Sequence, residues 1–210
     1  MKRRSFLSLG ALLLEGCAVP PETLPEATPS SSPTPVAYQP AGCSPTALVV
    51  PTRPASVPNL FDQDENGLHV AGRPPMELNP LSYRLRVTGL VEQPVEFTLD
   101  ALRCMPKISA KVELICQGVF RDETTFSGVP LSQVLDQAGV KKNASTILMI
   151  GADEYANLVD LRDIQDNHNF LATQWNDEPL PIFHGFPVRL VIPALLGYAW
   201  TKYLVEMRVG

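Results

Sequence analysis

One cysteine of this chain is placed where a thiol could do chemistry. The run Ile108–Cys116 alternates in the way that predicts a β-strand, with its even-numbered side chains on one face. Cys116 therefore points inward at the end of that strand, beside a predicted loop at Gln117 and Gly118. A thiolate at this place could bind a soft metal ion or act as a nucleophile. A lone cysteine is also commonly a small buried apolar residue, so the strand pattern by itself leaves both interpretations open.

The other three cysteines carry different expectations. Cys17 belongs to an N-terminal signal region, Cys43 falls in a proline-rich segment, and Cys104 follows a short predicted helix. In an oxidising compartment Cys43 and Cys104 could form a disulfide, although the sequence does not fix the pairing. The sequence contains no C-x-x-C, H-E-x-x-H, G-x-S-x-G or G-x-G-x-x-G pattern. This excludes the usual zinc, serine hydrolase and dinucleotide-binding sites.

A second group of candidate residues lies near the C-terminal end. Arg189 alternates with apolar neighbours, and on a plain strand it could simply face solvent. His184 taken alone would more often be a loop histidine than a ligand. The spacing within His184–Pro193, with Lys202 downstream, is what marks these residues as members of one site.

Several motifs occur in a fixed order along this part of the chain. The strongest is H-G-x-P-x-R-L-V-x-P at 184–193, followed by Gly197 and Lys202. The others are V-x-G-x-V at 87–91, T-L-x-x-L at 98–102, L-x-C-x-G at 114–118, F-x-G-V-P-L at 126–131, D-x-Y at 153–155 and L-A-x-x-x-N-x-x-P-L-P at 171–181. Together they resemble the molybdopterin-binding domain of the sulfite oxidase family.

This resemblance implies a fold, a cofactor and a set of site residues. The fold would be α+β and rich in mixed β-sheet, and the cofactor would be a molybdenum centre held by a pterin dithiolene. Cys116 would be the thiolate ligand that the protein gives to the metal. Arg189 would make a bidentate contact with the pterin phosphate, which suits its planar fork. The other implied cofactor-binding residues are Asp153, His184, Gly185 and Lys202.

The sequence also departs from the family pattern. Phe126 stands where tryptophan is usual, and residues 59–82 hold Phe61 and His69 without matching the pterin-contacting stretch of larger members. The sequence ends at Gly210, without the dimerisation domain and the active-site tyrosine of true sulfite oxidases. We therefore expect a site that is shallower, completed by another protein, or vestigial. Sulfite oxidation itself has little support.

Local patterns predict many short strands and few helices, as in an α+β domain. The predicted strands are 83–87, 108–116, 146–150, 157–161, 170–175, 188–192 and 203–209. One short helix is predicted after the Thr98 cap, before Pro106, and another over 130–138 with Gly139 at its end.

The N-terminus has the composition of an export signal. The apolar run Phe6–Leu14 follows a basic start and is much shorter than the roughly twenty residues of a membrane-spanning helix. Arg3–Leu7 matches the twin-arginine pattern R-R-x-F-L, an address for export of folded proteins. An ordinary secretory signal with adjacent arginines is the alternative.

The end of this signal region resembles a lipobox. Leu14, Gly16 and Cys17 stand where that pattern places them, whereas Glu15 departs from it. Lipidation of Cys17 would hold the protein to a membrane. We therefore predict a signal peptide over 1–17 and an exported lipoprotein that is anchored to a membrane in the periplasm or at the cell surface.

The remaining composition divides the chain into segments. Many of the 21 prolines fall in residues 18–58, which we interpret as a disordered, semi-rigid tether. Residues 59–82 are transitional, and residues 83–210 form the predicted molybdopterin-binding domain. The net charge of −5, with no Lys/Arg cluster beyond the first four residues, argues against a nucleic-acid partner.

Two functional hypotheses follow, from different classes. The first is a molybdenum-dependent oxidoreductase that transfers an oxygen atom to or from a small oxo compound, such as a sulfoxide or sulfite. Its electrons would pass to or from a haem protein or a quinol-linked membrane partner. The second is a cofactor-free, membrane-tethered module that binds proteins. A third arrangement, a Cys116–His184–Asp153 hydrolase, has the residue types but no supporting motif.

Overall fold

Two β-sheets make up most of the structure. A computed structural model describes residues 33–56, 58–72, 75–164 and 168–210, and Pro33–Gly210 form one compact unit. The strands are β1 (Val36–Ala37), β2 (Arg84–Gly89), β3 (Val95–Thr98), β4 (Ile108–Cys116), β5 (Phe120–Pro130), β6 (Thr146–Gly151), β7 (Ala156–Asp160), β8 (Phe170–Trp175), β9 (Glu178–Pro179), β10 (Arg189–Val191) and β11 (Leu204–Val209). The helices are α1 (Leu99–Arg103) and α2 (Leu131–Ala138).

The first sheet has the strand order β1-β3-β2-β11-β6-β7. Its inner strand β11 pairs in parallel with β2 and antiparallel with β6. Strand β2 shows why the sheet forms, because Leu85 and Val87 are fully buried while Arg84 and Arg86 face solvent. Burial of one face of each strand therefore fixes its register.

The second sheet has the order β10-β8-β5-β4, with β9 paired to β8. Strands β4 and β5 form a long hairpin whose register runs from Ile108 opposite Gly128 to Cys116 opposite Phe120. Strand β8 lies between β5 and β10, and its first four residues are buried. Side chains from both sheets, including Phe97, meet in one hydrophobic core. Cys116 lies at the turn end of the β4–β5 hairpin, beside the loop that joins the two strands.

The two predicted helices are confirmed. Thr98 caps α1, since its Oγ1 accepts a hydrogen bond from the backbone N–H of Ala101 at 3.0 Å. Helix α2 ends at Gly139, which has a left-handed φ of 66°. Both helices bury their apolar side against the sheets.

The predicted strands are also present, with small differences at their ends, but the long β5 and the short β1, β3 and β9 were not among them. The first half of β5 alternates between buried and exposed residues, yet the inward positions include Asp122 and Thr124. A strand with polar residues on its inner face does not show the hydrophobic alternation on which the prediction depends.

The predicted tether differs from the structure in its second half. Residues 36–37 pair in parallel with β3, Cys43 is bonded to Cys104, and Thr46 accepts a hydrogen bond from Arg103. Leu48 packs against the core. The folded unit therefore begins at Pro33, rather than after residue 58, because this segment is held by a strand pair, a covalent bond and apolar burial.

Other N-terminal predictions fall elsewhere. The twin-arginine motif, Cys17 and the first part of the tether lie outside the described residues. Among the helices that the structure does describe, none has the length and apolar character needed to cross a membrane.

Candidate active site

A cavity of about 300 Å³ lies between the hairpin turn, the loops near the C-terminus and a loop over residues 59–72. It brings together Cys116, Asp153, His184, Arg189 and Lys202, five residues that were singled out from the sequence. The remaining lining residues are Phe61, His69, Ala71, Gly72, Leu114, Phe120, Tyr155, Gly197, Tyr198 and Trp200. Residues far apart in the chain thus converge on one concave, largely apolar site.

Cys116 is the last residue of β4 and lines this cavity. Its thiol is free and half-buried. The turn that follows is closed by a hydrogen bond of 3.0 Å from the backbone N–H of Val119 to the Cys116 carbonyl, with Gly118 at a left-handed φ of 75°. The strand and its turn therefore fix the backbone that carries the thiol. A soft sulfur ligand at a rigid position suits a metal such as molybdenum.

Arg189 is a buried cation. It is 3% exposed, so the solvent-facing alternative is wrong. Its Nη1 donates to the His184 carbonyl at 3.2 Å, and its guanidinium carbon lies 5.1 Å from the centre of the Phe126 ring and 5.8 Å from that of Trp200. Its Nε has no hydrogen-bond partner among the described residues. Burial lowers the pKa of Arg189 to about 10.

Lys202 adds a second positive charge to the same cavity. Its Nζ donates to the carbonyls of Ala71 at 2.6 Å and Phe183 at 3.0 Å. An ammonium group has three donors, so one remains for a ligand. Burial, and secondly the charge of Arg189, lower the pKa of Lys202 to about 8. Two crowded cations with spare donors are stabilised by an anion, and a phosphate supplies the required charge and acceptors.

Gly185 allows these two cations to approach one another. Its φ of 105° lies in the left-handed region, where side chains are strained. A Cβ atom at this position would lie 3.1 Å from the Cβ atoms of both Arg189 and Lys202. Gly185 is therefore a positioning residue behind the cavity.

His184 is buried and bonded to a carboxylate that the sequence did not single out. Its Nε2 lies 2.9 Å from Oδ2 of Asp64. The Asp64 carboxylate also accepts hydrogen bonds from the backbone and side chain of Asn66 and from the backbone N–H of Leu68. Burial alone would raise the pKa of Asp64, but the hydrogen bonds from His184 and Asn66 lower it to about 2. Asp64 is therefore ionised at neutral pH. The hydrolase arrangement had assigned this partnership to Asp153.

The protonation state of His184 follows from its surroundings. Burial lowers its pKa, and the charges of Arg189 and Lys202 act in the same direction against the opposing effect of Asp64. A neutral ring whose Nε2–H donates to Asp64 satisfies both groups. Its Nδ1 is then an acceptor, and the ring is held in one orientation.

A second histidine–carboxylate pair stands at the same cavity. The Nδ1 of His69 lies 2.7 Å from Oδ1 of Asp122, and the His69 backbone N–H donates to the other oxygen at 2.8 Å. The imidazole stacks on Phe120 with a centroid distance of 4.6 Å and an interplanar angle of 8°. The sequence showed His69 but gave no sign of its partner, because that residue is 53 positions away on an unpredicted strand.

Asp153 lies at the edge of the cavity. Its Oδ1 accepts from the backbone N–H of Tyr155 at 3.2 Å, and the hydroxyl of Tyr155 donates to the Tyr198 carbonyl at 2.7 Å. This arrangement closes the turn that follows β6. A contact between Asp153 and a pterin remains a prediction.

The residues of the cavity fit a molybdenum cofactor better than a bare metal ion. The described residues contain no group of three or more His, Cys, Asp or Glu side chains placed to hold a metal. The Cys116 thiol would then need further ligands from an organic group. The Nε of Arg189, which none of the described residues satisfies, calls for an anion on that group. A dithiolene cofactor with a phosphate supplies both.

Comparison with a solved structure supports the fold. The chain is similar to the sulfane dehydrogenase SoxCD of Paracoccus pantotrophus, with a TM-score of 0.63 and 22% identity over 88% of this chain and 57% of that one. The predicted β-rich, sulfite oxidase-like fold is therefore confirmed.

Sequence relatives extend this finding. A Bacillus subtilis oxidoreductase of uncharacterised activity, YuiH, is 29% identical over 58% of this chain and 62% of its own length. An Azospira oryzae protein, named provisionally as the protein-methionine-sulfoxide reductase subunit YedZ1, is 30% identical over 63% of this chain and 51% of its own. Human mitochondrial sulfite oxidase is 30% identical over 65% of this chain and 30% of its own.

The chain thus covers less than two thirds of each of these relatives. The family model named oxidoreductase molybdopterin binding domain matches residues 71–210. The chain therefore belongs to the oxidoreductase molybdopterin-binding domain family, and its cofactor is molybdenum-molybdopterin.

Proposed function

We propose that this protein is an exported oxidoreductase that transfers an oxygen atom to or from a small oxo compound of the sulfoxide or sulfite kind. The single observation that carries the proposal is the buried Arg189, whose Nε has no hydrogen-bond partner in the described part of the chain, beside Lys202 and in the same cavity as the free Cys116 thiol. Oxidoreductase function follows from family membership. The substrate class is suggested by relatives named for sulfite and for methionine sulfoxide.

Each residue of the cavity has a role in this proposal. Cys116 would hold the metal, Arg189 would bind the phosphate through its planar fork, and Lys202 would donate its third N–H to the same anion. When bound, the cofactor supplies two-electron oxygen-atom transfer. Gly185 keeps the two cations close, and neutral His184 offers an acceptor at Nδ1.

An external redox partner completes the proposal. Oxygen-atom transfer leaves the site with two electrons too many or too few, so a second protein must supply or remove them. A haem protein or a quinol-linked membrane protein would serve. The name of the Azospira relative as a subunit is consistent with an enzyme that works with a partner chain.

The proposed location is the periplasm or the cell surface, with the protein anchored to a membrane through Cys17. This proposal rests on the twin-arginine pattern at Arg3–Leu7 and the lipobox-like Leu14–Cys17. The disulfide between Cys43 and Cys104 agrees with an oxidising compartment. Export of folded protein suits a cofactor inserted before export.

The test is the metal content of the exported protein. The full chain is expressed with its own signal in a host that makes molybdopterin, and molybdenum per protein is measured for wild type, Cys116→Ser and Lys111→Ser. Lys111 is exposed on the outer face of the same strand and serves as a matched control. We expect near-stoichiometric molybdenum in wild type and in the control, and loss of the thiolate-to-metal absorption in Cys116→Ser.

Activity is then measured in both directions. Reduction of dimethyl sulfoxide and of methionine sulfoxide is assayed with a reduced viologen, and oxidation of sulfite with ferricyanide. A well-folded wild type without molybdenum or pterin would contradict the proposal. Its site would then be vestigial, and the alternative of a membrane-tethered protein-binding module would replace it.

A further inference from the structure

The cavity contains a polar pair that the proposed binding of the cofactor does not use. His69 lines the cavity with about a quarter of its side chain exposed (24%), whereas the side chain of Asp122 is only 4% exposed. One carboxylate therefore faces the cavity only through the imidazole that covers it. A buried carboxylate behind a partly exposed histidine is an arrangement suited to proton transfer.

Asp122 fixes both the orientation and the tautomer of His69. One carboxylate oxygen accepts from the His69 backbone N–H at 2.8 Å, and the other lies 2.7 Å from the ring Nδ1. An ionised carboxylate can only accept, so Nδ1 must carry a proton. The proton that the ring gains or loses is consequently the one on Nε2.

Phe120 places this imidazole near the proposed metal ligand. The two rings are stacked at 4.6 Å, and Phe120 is directly opposite Cys116 in the hairpin register. The ring of Phe61 lies beside the Phe120 ring, with a centroid distance of 6.4 Å. His69 is thus separated by one aromatic ring from the strand end that carries the Cys116 thiol. This side of the cavity is partly shielded from water, which strengthens the action of a proton donor.

The geometry points to His69 as the residue that carries a proton between solvent and the oxygen of the substrate. This inference rests on the proposed function and names a catalytic residue for it. Reduction of a sulfoxide consumes two protons and two electrons, breaks the S–O bond and yields a sulfide and water. The electrons come from the external donor, His69 delivers one proton through Nε2 and regains it from solvent, and the second proton comes directly from solvent. In the oxidation of sulfite, sulfite and water give sulfate, two protons and two electrons. The electrons pass to the external acceptor, Nε2 of His69 takes up one proton, and the other proton goes to solvent.

Other titratable groups face the cavity and must be separated from His69 in any pH study. Asp122 lies behind the ring on β5. The groups contributed by other elements are Cys116, Asp153, Tyr155, His184, Arg189, Tyr198 and Lys202. Variants of His69 itself are therefore needed to assign a pH effect to this residue.

The first experiment compares the holoenzyme with its His69→Gln and His69→Phe variants, on whichever of dimethyl sulfoxide or sulfite the wild type turns over. Gln retains a donor toward Asp122, and Phe retains the stack on Phe120. We expect kcat to fall by about 100-fold in both, with KM changed little and one ionisation lost from the pH profile of kcat. Molybdenum content should stay at the wild-type value in both variants. The melting temperature should stay near wild type in His69→Gln and fall in His69→Phe, which leaves the buried Oδ1 of Asp122 without its ring donor.

Rescue by imidazole provides a second readout that a structural role would not produce. Added imidazole should restore the activity of His69→Ala in a concentration-dependent manner and leave wild type unaffected. Asp122→Asn should lower kcat on the order of tenfold, as expected for loss of a residue that orients the catalytic group. Wild-type kcat and an unchanged pH profile in His69→Gln would overturn the inference.

A measurement without turnover separates this inference from the proposed function. Nitrogen-15 NMR of the imidazole should show the Nδ1–H tautomer in wild type and lose it in Asp122→Asn. An Nε2–H tautomer in wild type would contradict the role of His69 whatever the enzyme's activity. Conversely, a protein with molybdenum and the expected tautomer but no turnover of any tested oxo compound would contradict the proposed substrate class.

Discussion

The cavity has two walls that are built in different ways. One wall contains Cys116 and Arg189, which are placed by strand ends, with the left-handed Gly185 behind them. The other is the loop over residues 59–72, held through Asp64 and His69. The first wall belongs to the sheets and their turns, whereas the second is joined to the domain by two histidine–carboxylate pairs that span 120 and 53 residues.

This difference indicates that cofactor binding and turnover depend on different parts of the site. The strand wall carries the groups suited to bind a charged cofactor, and their positions are set by registers that buried side chains enforce. The loop wall carries the Asp64 carboxylate and the partly exposed imidazole of His69, whose positions depend on polar contacts with His184 and Asp122. Substitutions in the strand wall should therefore change the binding of the cofactor. Substitutions in the loop wall should change turnover or local stability.

The largest expected effect tests the strand wall. Arg189→Met should weaken retention of the cofactor by about 100-fold or more, because two charge-assisted hydrogen bonds contribute about 1.5–3 kcal/mol each. The same change removes an unsatisfied buried cation, so the cofactor-free protein should be at least as stable as wild type. Pterin content after gel filtration and the melting temperature measure the two effects.

Arg208→Met is the control, since Arg208 is an exposed arginine on β11. Equal loss of pterin in both variants would show that positive charge in general, and not the Arg189 site, retains the cofactor. Arg189→Lys should lie between wild type and Arg189→Met because lysine cannot form the bidentate contact.

A second prediction concerns the segment that precedes the loop wall. Cys43→Ser together with Cys104→Ser should lower the free energy of unfolding by about 2–4 kcal/mol, since the disulfide closes a long loop. Urea denaturation of the oxidised and the double-variant protein measures this. Equal stability would mean that β1 and Leu48 hold the segment without the covalent bond.

The loop wall itself is tested by Asp64→Ala. Loss of this carboxylate leaves buried donors of His184 and Leu68 without their acceptor, at a cost of about 1–3 kcal/mol. Asp62→Ala is the matched control, because the Asp62 side chain is exposed and bonds only to Asn59 among the described residues. Thermal unfolding should separate the two variants, and a control as unstable as Asp64→Ala would contradict this account.

The contribution of Asp64 should also depend on pH. Its pKa is about 2 in the folded protein and 3.8 in the absence of these contacts. The unfolded state therefore binds more protons between these values, and this part of the stability is present above about pH 4 and lost as the pH falls toward 2. The stability difference between wild type and Asp64→Ala should shrink over the same range.

The smallest expected effect is the pH dependence of anion binding. Lys202, with a pKa of about 8, loses its charge as the pH rises from 7 to 9. Affinity of the cofactor-free protein for sulfate, which keeps its charge over this range, should fall about three- to fivefold. Isothermal titration measures it, and Lys202→Met should bind sulfate weakly with no such dependence. A dependence that persists in Lys202→Met would assign it to another group.

The two walls also differ in how far the sequence could predict them. Strand β4 showed a clear alternation, and Cys116 is at the end of its more buried face, where it is half-buried and lines the cavity. The burial of Arg189 could not follow from alternation alone, because a charged residue on a strand ordinarily faces solvent. The family motif implied only its contact with a phosphate, and the structure shows its burial. Helices α1 and α2 were predicted because their caps, Thr98 and Gly139, are local signals.

The loop wall escaped prediction for a physical reason. Asp64 stands in a polar stretch that indicates an exposed turn, and its partner His184 is 120 residues away. Strand β5 was missed because its inward positions carry Asp122 and Thr124, which hold His69 and the indole of Trp175. When inward-facing positions of a strand hold polar residues that make long-range hydrogen bonds, the strand lacks the alternation of apolar and polar residues by which it would be predicted.

The order of attachments along the N-terminal segment has a mechanical consequence. A pull on the chain from its N-terminal side meets the β1–β3 pair first and then the covalent bond at Cys43, and only afterwards the loop over residues 59–72. Because a covalent cross-link does not yield at forces that separate strands, the load passes through Cys104 into the sheet. The loop that carries Asp64 and His69 is thereby isolated from tension applied on that side of the molecule.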